Sequence, residues 1–550
     1  MECIKSEHKE VAKGTFWSLA GMFAIKFSSF IYTVILARMF TQGDIGTFNL
    51  ALSIMYPLSI LADWGINSAF SRYVPYYYGK GNKKKVNGLL KTAYTASGFT
   101  SFLLMIGLLV FSGSIAEYFG NDDLQIALQT VGIFLFVFTF FTLNSSFLGG
   151  MKNIKDSNVV QNIQNLLKLV LTLGFVFIIG PTIYAICAGF LLSYIIGAAI
   201  SFYYTKKELK KKDIRNVPLS LKQEIEILKE IVPFGLMLAL VSMFWALATN
   251  VDKIMLGLIL PLSPLQIAET IAVYSMALSL VTLITVFPSA ITSILLPLMS
   301  EMHGKNKNKE TVELSSSVVR WNTFLLVPLT ILLIAFPSEI LGMIYGQNYA
   351  SGGIALMVLS VGMFVRAMST VHGTLLASRR IVSVEIGAAI LAMAVNVTLN
   401  WILIPSYGMA GAAFASAASF LAVSGLLVYY SKKIANFGFN AEFLRPINAG
   451  FVALIVLVIA KDQVLSMTEN VSTLIPEGTD VGGMILQKLA KLIIFGALFL
   501  LACIIYGLIL LITKGFGKQD FELLSAALKK SKVPEAWLEN VQNRFGGEYV

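Results

Sequence analysis

Lys26, Lys168 and Arg366 each stand in the middle of a long apolar stretch. At the centre of a bilayer a basic side chain costs about 2.5–3.5 kcal/mol on insertion scales. It is tolerable there when it faces a partner or a water-filled cavity inside a helix bundle. Asp252 and Lys253 lie toward the end of another such stretch, Arg72 sits near the end of the second, and Asp63 and Asn67 lie one turn apart within it. Helical spacing gathers polar groups onto single faces: Lys26 with Ser29 and Thr33, Arg366 with Thr370 and Gly373, Asn396 with Asn400. Asp63 and Asp252 are outnumbered by Lys26, Arg72, Lys168, Lys253 and Arg366. Neighbouring bases repel in a low dielectric unless an anion or water intervenes. A cavity of this composition suits phosphate or carboxylate, held by charge-assisted hydrogen bonds, and suits lipophilic cations poorly. Structural readings compete at some positions. Arg38 and Arg72 are also placed to snorkel to an interface, and Asn396 and Asn400 also suit hydrogen bonding between helices.

Elements that can hold such groups must be membrane helices. Of 550 residues, 56% are hydrophobic and 13% charged, against about 25% charged in soluble domains. The pattern predicts an all-α polytopic membrane protein with about fourteen spans, near 14–40, 46–74, 88–117, 125–148, 157–179, 182–204, 233–260, 271–297, 317–336, 353–376, 382–404, 409–430, 445–460 and 489–513. Loops between them alternate in charge. Lys80 with Lys83–Lys85, Lys152 with Lys155, Lys206 to Arg215, Lys305 to Lys309, Arg379 with Arg380, and Lys432 with Lys433 fall on one side; 41–44, 120–123, 180–181, 261–270, 338–353 and 405–408 are nearly free of bases, with Lys461, Lys488 and Lys491 around the last two spans as exceptions. The positive-inside rule then places both termini in the cytoplasm of a multi-pass protein of the cell membrane. It also accounts for the net charge of +11 without nucleic acid.

The chain repeats itself. Phe48 to Ser53 (FNLALS) recurs as Tyr274 to Ser279 (YSMALS), Gly79-Lys80 as Gly304-Lys305, and Ala185 and Ala188 as Ala410 and Ala413, each about 225 residues on. Six spans separate the copies, so the halves share one orientation and are related by an axis along the membrane normal. The expected organisation is a cytoplasmic N-terminus (1–13), an N-lobe of six spans (14–205), a basic cytoplasmic linker (206–232), a C-lobe of six (233–430), two extra spans (431–513) and a cytoplasmic tail (514–550). In the tail Phe521, Leu524 and Leu528 share a helical face, which suits either an anionic membrane surface or a solvated tail. Asn470 opens a glycosylation sequon in an outside loop. No cleavable signal peptide is evident. The three cysteines and three histidines form no metal or disulfide motif. No Gly-rich phosphate loop, nucleophile motif or paired carboxylates in a soluble domain are present, so no ATP hydrolysis is implied and an enzyme is not expected.

Several segments carry a family resemblance: ARMFTQGDIGTFNLALSI at 37–54, DWGINSAFSRYVPYYYGKGNKKK at 63–85, NVDKIMLGLIL at 250–260, IYGQNYASGG at 344–353 and NVTLNWILIPSYGMAGAAFAS at 396–416. Together they resemble the polysaccharide (oligosaccharide-unit) flippases, in the superfamily of multidrug exporters and lipid II flippases, from about residue 10 to about 515. The resemblance implies two six-helix lobes around a cavity open to either side in turn. It implies a substrate in which an oligosaccharide is joined through phosphate or pyrophosphate to a polyprenyl lipid, with the last two spans helping to form a groove for the tail. Lys26 occupies the first-span position where related flippases place a base. Lys168, Lys253, Arg366 and Arg72 are assigned to the headgroup by depth and charge, and Asp63, Asn67, Asp252, Asn396 and Asn400 to the polar cavity and its gating. Some relatives bind sodium in the second lobe, for which Asp252, Asn396 and Asn400 supply oxygens. No cofactor is implied; a Na+ or H+ gradient or the membrane potential would drive transport. Expected partners are the lipid-linked oligosaccharide, membrane lipids and glycan-assembly enzymes, around a monomer. The alternatives are a small-molecule or multidrug exporter of the same superfamily, which predicts an acidic cavity, and a membrane glycosyltransferase or polymerase, which needs a larger catalytic loop.

Overall fold

The structure is a computed structural model that describes residues 21, 23–215, 218–438, 441–463, 466 and 481–512. The N-terminal segment 1–13, the Asn470 sequon and the 514–550 tail lie outside the described residues. Within them there is no strand, and ten helices are long and apolar enough to cross a membrane, with two shorter apolar ones near the C-terminal end. The chain is an all-α, multi-pass membrane protein.

Helix α1 spans 23–39. It is followed by α2 (Gln42–Asp63), α3 (Ile66–Gly79), α4 (Lys83–Phe119), α5 (Asp122–Gly150), α6 (Ile154–Ile179), α7 (Ile183–Lys211), α8 (Leu221–Ile259) and α9 (Pro264–Thr282). Then come α10 (Val286–Gly304), α11 (Asn308–Ala335), α12 (Pro337–Tyr345), α13 (Gly353–Ser378), α14 (Val382–Ala435), α15 (Ala441–Ile459) and α16 (Val481–Ile512). Helix α14 is two spans joined at Gly408, whose φ of 53° and ψ of −129° break the helix. Split there, the ten long helices give eleven spans and the two shorter apolar helices bring the total to thirteen among the described residues, with α1 covering the described part of the expected first span.

Three expectations need correction. The second span is not continuous: Trp64 and Gly65 both adopt left-handed φ, 55° and 73°, and divide it into α2 and α3. The eighth is likewise divided, by a 3-10 turn at Leu283–Thr285. The stretch 338–353, read as a loop, holds α12 and a 3-10 turn, Gln347–Gly352; Pro337 at the first helical turn is the signal for that start. Within the basic linker α7 runs on to Lys211 and α8 begins at Leu221 behind a Ser220–Gln223 capping box, so LKQEIEILKEI (221–231) is helical, in keeping with its sequence pattern.

The chain forms two compact units, residues 1–286 with 382–423, and residues 287–381 with 424–550. In the first, α2 packs against α5, α8 and α9, and α6 against α7. Helix α2 approaches α9 so closely that a Cβ on Gly46 would lie 1.7 Å from the Ala268 carbonyl oxygen. Small residues at such crossings replace the hydrophobic drive that helices lack inside lipid. One core, including Phe70, Val74, Leu89, Phe147 and Ile231, ties α3, α4 and α5 to α8. Beside it Lys85 pairs with Glu230 at 2.8 Å and Tyr77 donates to the same carboxylate. In the second unit α11 packs against α13, α15 and α16. Ser369 and Ser424 hydroxyls meet at 2.9 Å, the His372 ring stacks on Phe437, and Lys461 pairs with Glu339 at 2.8 Å.

Candidate functional site

Two polar constellations lie in the first unit, on either side of α8. The deeper is centred on Asp252, which is 1% exposed. Its carboxylate accepts from the Tyr274 hydroxyl on α9, the Ser416 hydroxyl on α14 and, at 2.7 Å, the Asn400 amide. Asn400 also donates to Asn396 Oδ1 at 2.8 Å, and Asn396 donates to Ser416 at 3.1 Å. Asn396 and Asn400 share a face because they are one turn apart. Ser416 joins them because the Gly408 break turns the chain back beside its own preceding span. Asn400 Oδ1 remains buried without a hydrogen-bond partner among the described residues.

The second constellation is a cavity of about 450 Å³ lined by α2, α3, α5 and α8. It carries the Asp63 carboxylate, the Asn67 and Asn250 amides and the hydroxyls of Ser59, Thr142 and Thr249, with Tyr56 and Phe138 supplying ring surface. Asp63 ends α2 and accepts the Asn67 backbone N–H at 3.1 Å, so the carboxylate bridges the Trp64–Gly65 break and caps α3. Asn67 donates to Thr142 at 3.2 Å. No Lys or Arg is among the lining residues, so this wall is acidic rather than cationic. Lys253 reaches it only through Asn250, to which it donates at 3.1 Å. Asn250 and Asp252 differ by two positions, about 200° around a helix. One turn of α8 therefore presents an amide to the cavity and a carboxylate to the buried cluster.

The remaining bases are dispersed. Lys168 on α6 is 9% exposed, donates to Asn165 at 3.3 Å and lies 4.4 Å from the Tyr32 ring centroid on α1. Ser29 donates to the same Asn165 oxygen at 3.2 Å. Lys26, one turn before Ser29, is exposed. Arg72 is exposed and lies over the Phe234 ring at 4.5 Å, a cation–π contact. Arg366 is half-buried on α13, in the second unit. Of the residues singled out from sequence, the fold thus brings together Asp252 with Asn396 and Asn400, and Asp63 with Asn67. Tyr274 and Ser416 were missed. Each is a hydroxyl in an apolar run, and Ser416 closes the AGAAFAS segment that carried the resemblance.

These features define a multi-pass helical membrane protein with a polar interior, the architecture of a transporter. The chain belongs to the polysaccharide biosynthesis protein family, whose model matches residues 11–303. An uncharacterised membrane protein of Methanocaldococcus jannaschii is 19% identical over 472 residues, 84% of this chain and 91% of that protein. A probable low-salt glycan biosynthesis flippase of Haloferax volcanii is 24% identical over 170 residues, 31% of this chain and 36% of that protein. Among solved structures, the lipid II flippase MurJ in an inward-closed conformation shares the fold, with a TM-score of 0.66 at 14% identity, covering 89% of this chain and 97% of that one.

Proposed function

We propose that the protein is a flippase. It carries a polyprenyl-(di)phosphate-linked oligosaccharide from the cytoplasmic to the outer leaflet of the cell membrane by alternating access, for surface glycan assembly. Family membership and the Haloferax relative's name support the substrate class. The observation that carries the reading is the polar run of α8: Thr249, Asn250, Asp252 and Lys253 inside a membrane helix, the last two buried. Intramembrane ionisable groups are expensive, and they mark transport pathways more often than supports. In this reading bases of the first unit, among Lys26, Lys168, Lys253 and Arg72, hold the phosphate. Both termini face the cytoplasm, and the lipid tail stays in the bilayer.

The Asp252 cluster is proposed to couple transport to sodium. One carboxylate among neutral oxygens of Asn396, Asn400, Ser416 and Tyr274 fits a monovalent hard cation, and the bare Asn400 Oδ1 supplies a further ligand. A bound cation there would neutralise the buried charge and order α8, α9 and α14 around it. Membrane potential adds about 2.3 kcal/mol per charge per 100 mV.

Native mass spectrometry of the gently solubilised protein, wild type beside Lys26→Ala, tests the reading. The expected result is an adduct with the mass of a polyprenyl-phosphate-linked saccharide, depleted in the variant. An adduct retained in both removes Lys26 from the site. The acidic cavity favours a second reading, an exporter of small cationic compounds. Absence of any such adduct, with saturable binding of tetraphenylphosphonium, would select it.

A further inference from the structure

The cavity around Asp63 has a donor–acceptor balance that separates it from a phosphate site. Its hydroxyls spend their protons on the backbone. Ser59 donates to the Tyr56 carbonyl at 2.7 Å, Thr142 to Phe138 at 3.0 Å and Thr249 to Trp245 at 2.9 Å. Thr142 also accepts from the Asn67 amide and Thr249 from the Asn250 amide, so what each keeps for a ligand is a remaining lone pair, not a proton. The Asp63 carboxylate is acceptor-only when ionised. Asn67 Oδ1 is buried with no hydrogen-bond partner among the described residues, while its amide nitrogen is committed to Thr142. The wall therefore offers acceptors in several directions and no basic side chain. Phosphate, itself acceptor-only and anionic, is repelled by such a wall. A small lipophilic cation would use Asp63 and leave Asn67 Oδ1 without a donor.

We propose that this cavity is a saccharide subsite, in which sugar hydroxyls donate to Asp63, Asn67, Thr142 and Thr249 while Tyr56 and Phe138 cover the apolar face of the ring. A pyranose offers what the wall lacks: several O–H donors around a flat carbon skeleton. At about 450 Å³ the cavity falls within the usual range for small-ligand sites. The inference rests on the flippase reading and divides the work within it, with the sugar at Asp63 and the phosphate at the bases. It also gives the site a lever. Asp63 is the last residue of α2 and its carboxylate caps α3, so a ligand that draws on that carboxylate acts on the Trp64–Gly65 break itself.

The test is binding of two probe sets to the purified full-length protein in nanodiscs. One is polyprenyl phosphate without sugar; the other is a panel of polyprenyl-phosphate-linked glucose, galactose, mannose, N-acetylglucosamine and glucuronic acid. Variants are Asp63→Asn, which still accepts the Asn67 N–H, and Thr142→Val, which keeps the side-chain volume. Loss of a hydrogen bond to a charged group corresponds to about tenfold to hundredfold in affinity. The expected result is that Asp63→Asn weakens the preferred sugar-linked lipid by at least about tenfold, and Thr142→Val by a smaller factor. Binding of sugar-free polyprenyl phosphate should stay unchanged in both. If the variants bind both probe sets as the wild type does, the flippase reading stands and the saccharide subsite is wrong. Equal loss of both probe sets would make the cavity part of the phosphate site or of the fold, and would also overturn the proposal. If the wild type binds neither set but binds tetraphenylphosphonium in a manner abolished by Asp63→Asn, both readings fall.

Discussion

Asn400 is the most constrained residue of the buried cluster, since its amide nitrogen serves both Asp252 and Asn396 while its oxygen has no hydrogen-bond partner among the described residues. An unsatisfied buried polar atom costs about 1–3 kcal/mol, so a cation that occupies it should stabilise the fold. The wild-type protein is expected to melt at a higher temperature in sodium chloride than in choline chloride, and Asn400→Leu and Asp252→Asn should lose that difference. Equal melting in both salts for the wild type would remove sodium from the cluster. Lys26 makes the opposite prediction. It is exposed, and surface substitutions usually stay within about 0.5 kcal/mol. Lys26→Ala should therefore express and melt like the wild type while losing the lipid-linked adduct. A fall in melting temperature would instead give Lys26 a structural role. At this scale the pairing of Asn396 with Asn400 was legible from i, i+4 spacing, and Asp252 stood out as a carboxylate inside a span-length apolar segment. Tyr274 and Ser416 were not, because hydroxyls are tolerated in membrane helices and only the tertiary turn at Gly408 brings Ser416 onto Asp252.

The elements are shaped by a few backbone positions. At Gly65 the φ of 73° disfavours any side chain, and an added Cβ would meet the Gly235 carbonyl oxygen at 1.9 Å. Gly65→Ala should destabilise by more than about 1 kcal/mol, read as a lower melting temperature. Gly408→Ala separates the two causes. Its nearest neighbour would be Leu260 at 3.6 Å, ordinary contact, so the penalty is backbone strain alone, about 1–3 kcal/mol. If Gly408→Ala melts as the wild type does, the break in α14 is not set by that residue's conformation. Gly46→Val should separate α2 from α9 and cost about 1–3 kcal/mol or more through overpacking. Span positions were legible from apolar length and alternating loop charge. The breaks were harder to see. Trp64-Gly65 lies between Asp63 and Asn67 inside a span-length segment, where polar residues also suit a cavity-facing helix, and the Leu283–Thr285 turn contains no breaker at all.

For the whole molecule, low charge and ten long apolar helices among the described residues show that it crosses the membrane many times, and the family places it among polysaccharide biosynthesis proteins. The expected cationic interior is distributed differently. The described cavity of the first unit is acceptor-rich, and the bases sit on α1, α3, α6, α8 and α13. Counting charges along the chain could not reveal this, because residues adjacent in sequence, such as Asp252 and Lys253, face different neighbours. The central claim is transport of a lipid-linked glycan between leaflets. The direct measurement uses proteoliposomes containing a fluorescently tagged polyprenyl-phosphate-linked saccharide, with dithionite added to bleach the outer leaflet. The account predicts a larger bleached fraction than in protein-free vesicles. It also predicts that Lys168→Ala returns the fraction to the protein-free level and that Asp252→Asn makes it independent of sodium. A bleached fraction equal to that of protein-free vesicles, from protein that moves a cationic dye across the same membranes, would contradict it.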